Sequence, residues 1–377
     1  MMWLWAVPGG ALIAVVVVDV WLTILHPDAE GPVAGAVRRS VWRLSSFAAN
    51  RRRRPERTLL VWAGPLLVTG TFLAWIVPLV FGVALLVWPH LDGYHRVAGY
   101  GPTGFADALY FSAGTLTVLG YGDLTPDTPA QKLLAVCVAA LGFALFAALA
   151  TYLIELITGL TVRNRFALAV HDQVGGSDGV GLTVRSLTAE GVDATRQRCA
   201  DWAADLRAID DTVRRYPLVA LTYRPRRPDY DLEPALEHVI EATVAALLIA
   251  RCATWRGLGP RAEELAYALL RIQDTIARRY LDDTVLDANH ADADAEQGAA
   301  ARASAPFDDA DQMLRRLQSR LAAELGARYD QPASRDGLVG VVLARSVPFL
   351  AGLRGWSAPL VTLRDVDRSE TGVGGCG

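Results

Sequence analysis

The chain has 377 residues, of which 52% are apolar and 20% are charged, and its mean hydropathy is +0.24. Soluble chains are typically about 45–50% apolar and about 25% charged, so the composition leans towards a membrane protein. The distribution is more decisive, because residues 58–88 and residues 133–154 contain no charged side chain. Such runs exceed the about 18–20 apolar residues that cross a bilayer, which argues against a purely soluble enzyme.

The net charge of -3 is divided unevenly along the chain. Up to Arg165 basic residues outnumber acidic ones by 12 to 9, and beyond it acidic residues outnumber basic ones by 31 to 25. The first part is therefore predicted to be a membrane unit with basic flanks, and the second a mildly acidic soluble unit. Every basic residue except Lys132 is arginine, which is typical of a GC-rich bacterial genome.

Three apolar spans are predicted to be transmembrane helices. The first lies in residues 1–26, the second in 58–89 and the third in 130–162. The first span has no basic residue before it and no small-residue cleavage site, which favours a retained helix over a signal peptide. The second, at about 46 Å, exceeds a hydrocarbon core of about 30 Å and is expected to tilt, kink or protrude.

The loop at residues 27–57 carries a cluster of arginines, whereas no basic residue precedes the first span. This asymmetry predicts a cytoplasmic loop, an outer N-terminus and a cytoplasmic tail. Val33, Val37 and Val41 recur at helical spacing, so the loop is either an interfacial helix on anionic headgroups or a solvated basic linker. The contiguous run Arg51–Arg54 lacks the three-residue spacing of a voltage sensor inside a span.

A short apolar segment lies between the second and third spans. Ala106–Thr117, at about 18 Å as a helix, is too short to cross the membrane and is predicted to re-enter and turn back. The return contains Gly120, Tyr121 and Gly122. Irregular backbone at membrane depth requires burial in protein or a water-filled path beside it, and an ion pathway provides one.

Glycine spacing in this return suits a cation filter. Rings of backbone carbonyls can replace the hydration shell of K⁺ if consecutive carbonyls point the same way, which requires alternating backbone handedness. Gly120 and Gly122 permit this alternation at low steric cost. Tyr121 is then expected to pack against the short helix, with Asp123 at the outer mouth.

The stretch Tyr110–Pro126 resembles the pore helix and filter of the potassium channel pore-domain family, and residues 58–162 resemble its whole pore domain. The resemblance implies a re-entrant pore helix at 105–117 and a selectivity filter at 118–122. Together with the additional span in residues 1–26 and the helical periodicity of the tail, it predicts an all-α membrane protein with three transmembrane helices and a C-terminal cytoplasmic helical domain. It also implies a homotetramer, since one chain contributes only one filter strand.

The resemblance assigns site residues position by position. The filter is predicted to be Val118, Leu119, Gly120, Tyr121 and Gly122, with K⁺ held by the carbonyls of the first four. Filter support is assigned to Tyr110, Thr115, Thr117 and Asp123, and the resemblance implies a hydrogen bond behind the filter between Asp123 and Tyr110. Gating and cavity positions are Gly142, Phe143, Phe146, Ala150, Ile154 and Glu155.

The first filter position departs from the family pattern. The family usually has a threonine whose hydroxyl completes the innermost ion site, and Val118 stands there in this chain. Losing four hydroxyls is expected to weaken that site, while the intact Gly-Tyr-Gly core still favours K⁺ selectivity.

Two intramembrane acids have open interpretations. Asp19 is either a functional acid or a carboxylate that snorkels to the interface or pairs with a loop arginine. Glu155 forms either a ring of carboxylates at the cytoplasmic mouth or a solvated acid paired with Arg163 or Arg165.

The tail, residues 163–377, is predicted to be a mainly helical cytoplasmic domain, with helices near 194–215, 233–255, 261–283, 307–328 and 336–353. A flexible linker is expected at 286–305 and disorder at Ser369–Gly377. No catalytic constellation appears, so the chain is not expected to be an enzyme, to hold a cofactor beyond permeant K⁺ or to bind nucleic acid. The tail is a candidate binding site for an unidentified ligand or protein partner.

Together these features predict a tetrameric, K⁺-selective channel of the bacterial inner membrane that gives passive flux and is not voltage-gated. A non-selective cation channel, and a membrane-anchored sensor or scaffold with a vestigial pore, are the alternatives.

Overall fold

A computed structural model describes residues 3–25, 31–51, 63–96, 104–216, 227–281, 304–329 and 337–370. Contacts within the chain divide it into two compact units. We call residues 1–48 with 62–157 the membrane unit, and residues 49–61 with 158–377 the tail unit.

The membrane unit is built from helices with one short ribbon. Helix α1, Trp3–Val20, continues into a π turn at Trp21–Leu25, and α2 spans Pro32–Arg51. Helix α3, Ala63–Val87, is followed by a 3-10 turn at Trp88–Gly93. Helix α4 spans Phe105–Leu116, and α5, Pro129–Val174, begins in this unit and ends in the tail unit.

Among the described residues, three helices are long and apolar enough to cross a membrane: Trp5–Ile24, Gly64–Gly93 and Pro129–Val174. They coincide with the three predicted spans and confirm an all-α membrane protein. Residues 58–62 of the second predicted span lie outside the described residues. Helix α5 continues 12 residues beyond the predicted end of the third span at 162, so one unbroken helix runs from the membrane span into the tail.

Helix α3 occupies the centre of the membrane unit. Its Trp75, Leu79 and Val83 are fully or almost fully buried, and they share one apolar core with Val16 of α1 and Ala108 of α4. Small residues allow α1 and α3 to approach closely, since a Cβ on Gly9 would lie 2.7 Å from the carbonyl oxygen of Gly82. Helix α1 is therefore an integral part of the membrane unit.

A two-stranded antiparallel ribbon pairs Tyr94–Arg96 (β1) with Leu124–Pro126 (β2), with His95 opposite Thr125. This ribbon was not predicted from the sequence, because three-residue strands carry no periodicity that a pattern can detect. The ribbon joins the end of the 3-10 turn after α3 to the segment that follows Gly122.

Six further helices belong to the described part of the tail unit: α6 (Gly179–Arg185), α7 (Val192–Arg215), α8 (Leu232–Ile249), α9 (Gly259–Tyr280), α10 (Ser304–Leu325) and α11 (Leu338–Glu370). The last five match the five predicted segments. Helix α8 ends at Ile249, six residues before the predicted end at 255. A separate 3-10 turn, Ala253–Leu258, follows it. The last predicted segment, 336–353, corresponds to α11, which extends further, to Glu370.

The core of the tail unit surrounds α8, in which 13 of 18 residues are buried. The last turns of α5 contribute Phe166, Val170 and Val174 to the same core. The continuation of α5 beyond the predicted span thus has a clear cause, because these side chains pack in the tail unit. Of the predicted flexible linker at 286–305, residues 286–303 lie outside the described residues, whereas Ser304 begins α10. Of the predicted disordered end, residues 371–377 lie outside them, whereas residues 369 and 370 are the last of α11.

Candidate ion-conduction site

The N-terminus of α4 is held by its own first turn. The Gly104 N–H donates to the Asp107 carboxylate at 2.8 Å, which satisfies a backbone donor at the helix start. A negative charge in the first turn also complements the positive end of the helix dipole. Asp107 was not among the predicted site residues, although an acid three residues after a helix N-cap is a recognisable capping signal.

The chain leaves the C-terminus of α4 through a tight turn. The Thr117 hydroxyl donates to a backbone carbonyl four residues earlier at 2.8 Å. The Val118 N–H donates to the carbonyl of Thr115 at 3.0 Å, and the Leu119 N–H to that of Gly114 at 2.8 Å. The last carbonyls of the helix therefore anchor the first residues of the predicted filter, which places Thr115 and Thr117 directly beneath it.

Backbone handedness alternates through the predicted filter. Val118, Gly120 and Gly122 have φ angles of 59°, 53° and 81°, while Leu119 and Tyr121 between them are not left-handed. Glycine adopts this conformation readily, but a β-branched valine does so only at a cost of about 1–2 kcal/mol. Val118 is the non-glycine residue with positive φ in the described part of the chain. Such backbone strain clusters at functional sites.

The side chain of Tyr121 lies against α4. Its ring is stacked nearly parallel to that of Tyr110, with 5° between the planes and 6.5 Å between the centroids. The Asp123 carboxylate accepts the N–H of the next residue, Leu124, at 3.1 Å. The proposed bond from Tyr110 to Asp123 behind the filter stays a prediction.

Contacts around the ribbon hold the segments on both sides of the filter together. The Tyr94 ring meets the Phe111 ring of α4 edge-on, with 5.0 Å between centroids. The Gln131 side chain, in the first turn of α5, donates to the carbonyl of His90 at 3.1 Å. Sequence reasoning missed these residues, because each contact joins positions far apart in the chain and no local pattern marks them.

Gly142 of α5 lies directly against the end of α4. A Cβ at this position would lie 1.8 Å from the carbonyl oxygen of Leu116, the last residue of α4. Only a residue without a side chain permits this approach. The resemblance assigned Gly142 to gating, and that role stays a prediction beside the packing role that the geometry gives.

One face of α5 is apolar and exposed in the membrane unit. Phe143 and Ile154 expose 69% and 64% of their surface, and Ala150 is also exposed. Exposed residues alternate at spacings of three and four along this face: Leu133, Val136, Ala140, Phe143, Ala147, Ala150, Ile154 and Ile157. The spacing is that of a seam between packed helices.

Two further predicted positions of α5 lie beside this face. The Phe146 ring meets the Phe72 ring of α3 edge-on at 5.5 Å, so it contacts the neighbouring helix of its own chain. Glu155 is exposed. The cavity role of Phe146 and the carboxylate ring of Glu155 stay predictions.

A cleft of about 410 Å³ opens among α8, α10 and α11 and the start of α6 in the tail unit. Its charges largely neutralise one another, because Arg320 pairs with Asp178, and Arg354 pairs with Glu237 at 2.6 Å. Among the described residues, no group of three or more His, Cys, Asp or Glu side chains is placed to hold a metal ion. The predicted ligand or partner of the tail stays a prediction.

Comparison with known proteins finds a family match that covers the predicted filter. Residues 67–159 match the sequence profile of the ion channel family. The uncharacterized membrane protein YdjJ of Bacillus subtilis is 25% identical over 165 residues, which are 44% of this chain and 47% of that protein. No solved structure matches the chain.

Two plant relatives are similar over a shorter stretch. The two pore potassium channel c of Oryza sativa is 37% identical over 97 residues, 24% of this chain and 21% of that protein. The two-pore potassium channel 1 of Arabidopsis thaliana is 40% identical over 72 residues, 18% of this chain and 20% of that protein. The chain thus spans less than half the length of each of these three curated relatives.

The fold and the site define a membrane protein with an ion channel pore segment. The motif at Tyr110–Pro126, which predicted a potassium channel pore domain, lies within the residues that match the ion channel family, and both plant relatives are named as potassium channels.

Proposed function

We propose that this protein is a homotetrameric, K⁺-selective channel that gives passive flux across the bacterial inner membrane. The observation that carries the proposal is the left-handed backbone at Val118, Gly120 and Gly122, directly after a helix too short to cross the membrane. This alternation turns successive carbonyls towards one side, which is what a dehydrated K⁺ requires of its ligands. The ligands are the carbonyls of Val118, Leu119, Gly120 and Tyr121.

The tetramer is supported by the face that carries the predicted filter. Val118, Leu119 and Tyr121 expose 58%, 57% and 71% of their surface. Irregular backbone with unpaired polar groups is not stable against lipid tails, so protein or a water-filled path must cover it. Four copies around one axis provide both, and the apolar seam of α5 gives them a packing surface.

Orientation and gating follow from the charges. The arginine-rich loop predicts that the N-terminus is outside and the tail is in the cytoplasm. The spans Trp5–Ile24 and Gly64–Gly93 contain no arginine, so they lack the charges that move in a voltage sensor. We therefore propose a channel whose opening does not depend on membrane voltage. Because the sequence contains no catalytic constellation, we also propose that the chain has no enzymatic activity.

The test is ion uptake by the purified full chain in liposomes. We expect concentrative uptake of rubidium, a K⁺ surrogate, to exceed that of sodium. Gly122→Ala should abolish flux or selectivity, because a side chain disfavours the φ of 81°. Tyr121→Ala should do the same by removing the contact with Tyr110. Gly10→Ala is the matched control, because a Cβ at Gly10 meets no atom within 4 Å.

The alternatives make different predictions in the same assay. Equal rubidium and sodium uptake by the unsubstituted protein would identify a non-selective cation channel. Absence of flux in every ionic condition would favour a sensor or scaffold with a vestigial pore. Size-exclusion chromatography with light scattering should give about four times the chain mass of 40.6 kDa, in keeping with closed four-fold symmetry.

A further inference from the structure

The most unusual polar group of the membrane unit is Asp19, a carboxylate that is completely buried. It lies in the span Trp5–Ile24, about 8 Å before the inner end. The carboxylate accepts three N–H groups: the Trp75 indole of α3 at 2.8 Å, the Val33 backbone at 2.7 Å and the Ala34 backbone at 3.2 Å. Asp19 therefore bonds to two other helices at once.

The sequence left open whether Asp19 snorkels or pairs with a loop arginine. The structure gives a third answer, because its partners are N–H donors of the membrane unit. A carboxylate has only acceptor sites, so indole and backbone N–H groups satisfy it directly. Bonds from backbone N–H groups to an anion are also stronger than those between neutral groups.

The same bonds complete the start of α2. The first turn of a helix has N–H groups without partners inside the helix, and Asp19 takes those of Val33 and Ala34. Immediately before them, the Gly31 N–H donates to the Thr23 hydroxyl at 3.1 Å. Capping side chains usually come from the helix's own first residues, whereas both of these come from α1 and its π turn.

Steric fit around Asp19 is tight. A Cβ on Gly31 would lie 2.2 Å from a carboxylate oxygen of Asp19, so a glycine is required there. A second contact follows one turn along α2, where a Cβ on Gly70 of α3 would lie 3.2 Å from a methyl carbon of Val37. Helix α2 is thus tied to α3 through two separate points.

Helix α3 in turn packs on the start of α4. The ring of Phe81 lies 6.3 Å from the ring of Phe105, the first residue of α4, and the ring of Trp88, in the 3-10 turn that follows α3, lies 5.4 Å from it. Helix α2 therefore reaches the helix beneath the filter through one intermediate helix.

We propose that Asp19, together with Trp75, is a latch that fixes the N-terminus of α2 on the outer surface of α3, so that movement of α2 is passed to the pore segment. The latch gives the first transmembrane helix, which the pore match at 67–159 does not include, a defined role. Its effect on flux rests on the proposed channel function, whereas its effect on the position of α2 does not.

The test is disulfide formation between Val37→Cys and Gly70→Cys in the full chain, with Cys137, Cys199, Cys252 and Cys376 replaced by alanine. The present separation of these positions is compatible with disulfide geometry. Protection of both thiols from alkylation after mild oxidation, measured by mass spectrometry, reports the proximity of α2 and α3. We expect rapid protection in this background.

Substitution of Asp19 should separate the two positions. We expect Asp19→Leu to slow the protection by about tenfold, and Trp75→Phe, which removes only one donor, by about two- to threefold. Asp92→Asn, at an exposed acid of the same unit, is the matched control and should change nothing. Unchanged protection in both Asp19→Leu and Trp75→Phe would overturn the latch.

Flux supplies the second readout. Asp19→Leu should change rubidium uptake by about threefold or more without changing the ratio of rubidium to sodium, because the filter is untouched. Prolonged oxidation of the cysteine pair in Asp19→Leu should restore the original uptake. Slower protection with unchanged uptake would overturn the coupling to the pore. If the unsubstituted protein gives no flux, the proposed channel function fails, and the cysteine pair alone still decides whether the latch exists.

Discussion

Gly142 of α5 packs directly against Leu116, the last residue of the helix beneath the predicted filter. A Cβ at Gly142 would fall 1.8 Å from the Leu116 carbonyl oxygen, so any other residue must push the two helices apart. The end of α4 carries the turn into Val118, and for that reason this contact fixes the base of the filter as well as the packing of α5.

Gly142→Ala should therefore lower ion selectivity. Overpacking of this kind costs about 1–3 kcal/mol and is relieved by backbone shifts, here at the last turn of α4. The measurement is the ratio of rubidium to sodium uptake in liposomes, with Gly10→Ala as the control. A reduced flux at an unchanged ratio would contradict the packing role and favour the gating role that the resemblance assigned.

Val118→Thr should strengthen the innermost ion site. Threonine has the same branching as valine, so it fits the φ of 59° equally well and adds one hydroxyl per chain. Four hydroxyls around the axis supply the oxygens that the family pattern has and this chain lacks. We expect rubidium uptake to saturate at lower concentration, and an unchanged saturation curve would show that position 118 does not bind the ion.

Tyr110→Phe should retain selectivity, and Tyr110→Leu should reduce it. The nearly parallel ring of Tyr110 is what contacts Tyr121, and phenylalanine keeps that ring. Aromatic pairs contribute about 0.5–1.5 kcal/mol beyond simple burial, which leucine loses. The measurement is the ratio of rubidium to sodium uptake in the two variants, which shows whether the ring of Tyr110 supports selectivity. Equal loss in both would instead support the hydroxyl of Tyr110, as the predicted bond to Asp123 requires.

Ser346→Ala should destabilise the tail unit by about 1–3 kcal/mol, because it leaves a buried amide donor without its partner. The Gln273 amide donates to the Ser346 hydroxyl at 2.9 Å, and both residues are buried. The amide oxygen of Gln273 has no partner among the described residues. The measurement is Tm of the full chain in detergent.

A double variant tests the cause of that loss. Combining Gln273→Leu with Ser346→Ala removes both polar groups and should recover most of the lost Tm. Ser319→Ala, at an exposed serine of α10, is the control and should have little effect. A double variant less stable than Ser346→Ala alone would show that packing, rather than the unpaired donor, sets the cost.

The ion pairs of Glu264 should stabilise the tail unit at neutral pH and cease to do so in acid. Hydrogen bonds from Arg207 of α7 at 2.7 Å and from Arg261 at 2.5 Å hold the pKa of Glu264 below its ordinary value of 4.5. A carboxylate with a lowered pKa contributes stability above its unfolded pKa, and this contribution is lost as pH falls through the folded pKa.

Glu264→Gln should accordingly lower Tm by only about 1–2 °C at pH 7, since the pair is partly exposed and screened. The difference from the unsubstituted protein should disappear well below pH 4.5. Glu263→Gln, at the exposed neighbouring acid, is the matched control. A difference that grows in acid would contradict the assignment.

Much of the fold was predictable because its signals are local. A run without charge predicts a span by length alone, so residues 133–154 identified α5 directly. The tail helices followed from apolar side chains at helical spacing, as in Trp202, Leu206 and Ile209, all of which are buried. The ribbon and the end of α5 were not predictable, because pairing with Leu124–Pro126 and packing in the tail core both depend on distant partners.

The sequence by itself determined the class of protein, through charge-free runs, one helix too short to cross and Gly120-Tyr121-Gly122. These are properties of consecutive residues, and hydrophobic length and glycine conformation depend on little else. Tertiary structure alone decided that Val118 adopts a left-handed backbone, that Gly142 lies against Leu116 and that Asp19 bonds to Trp75 across 56 positions. Each of these depends on which atoms of distant segments meet, which no local pattern records.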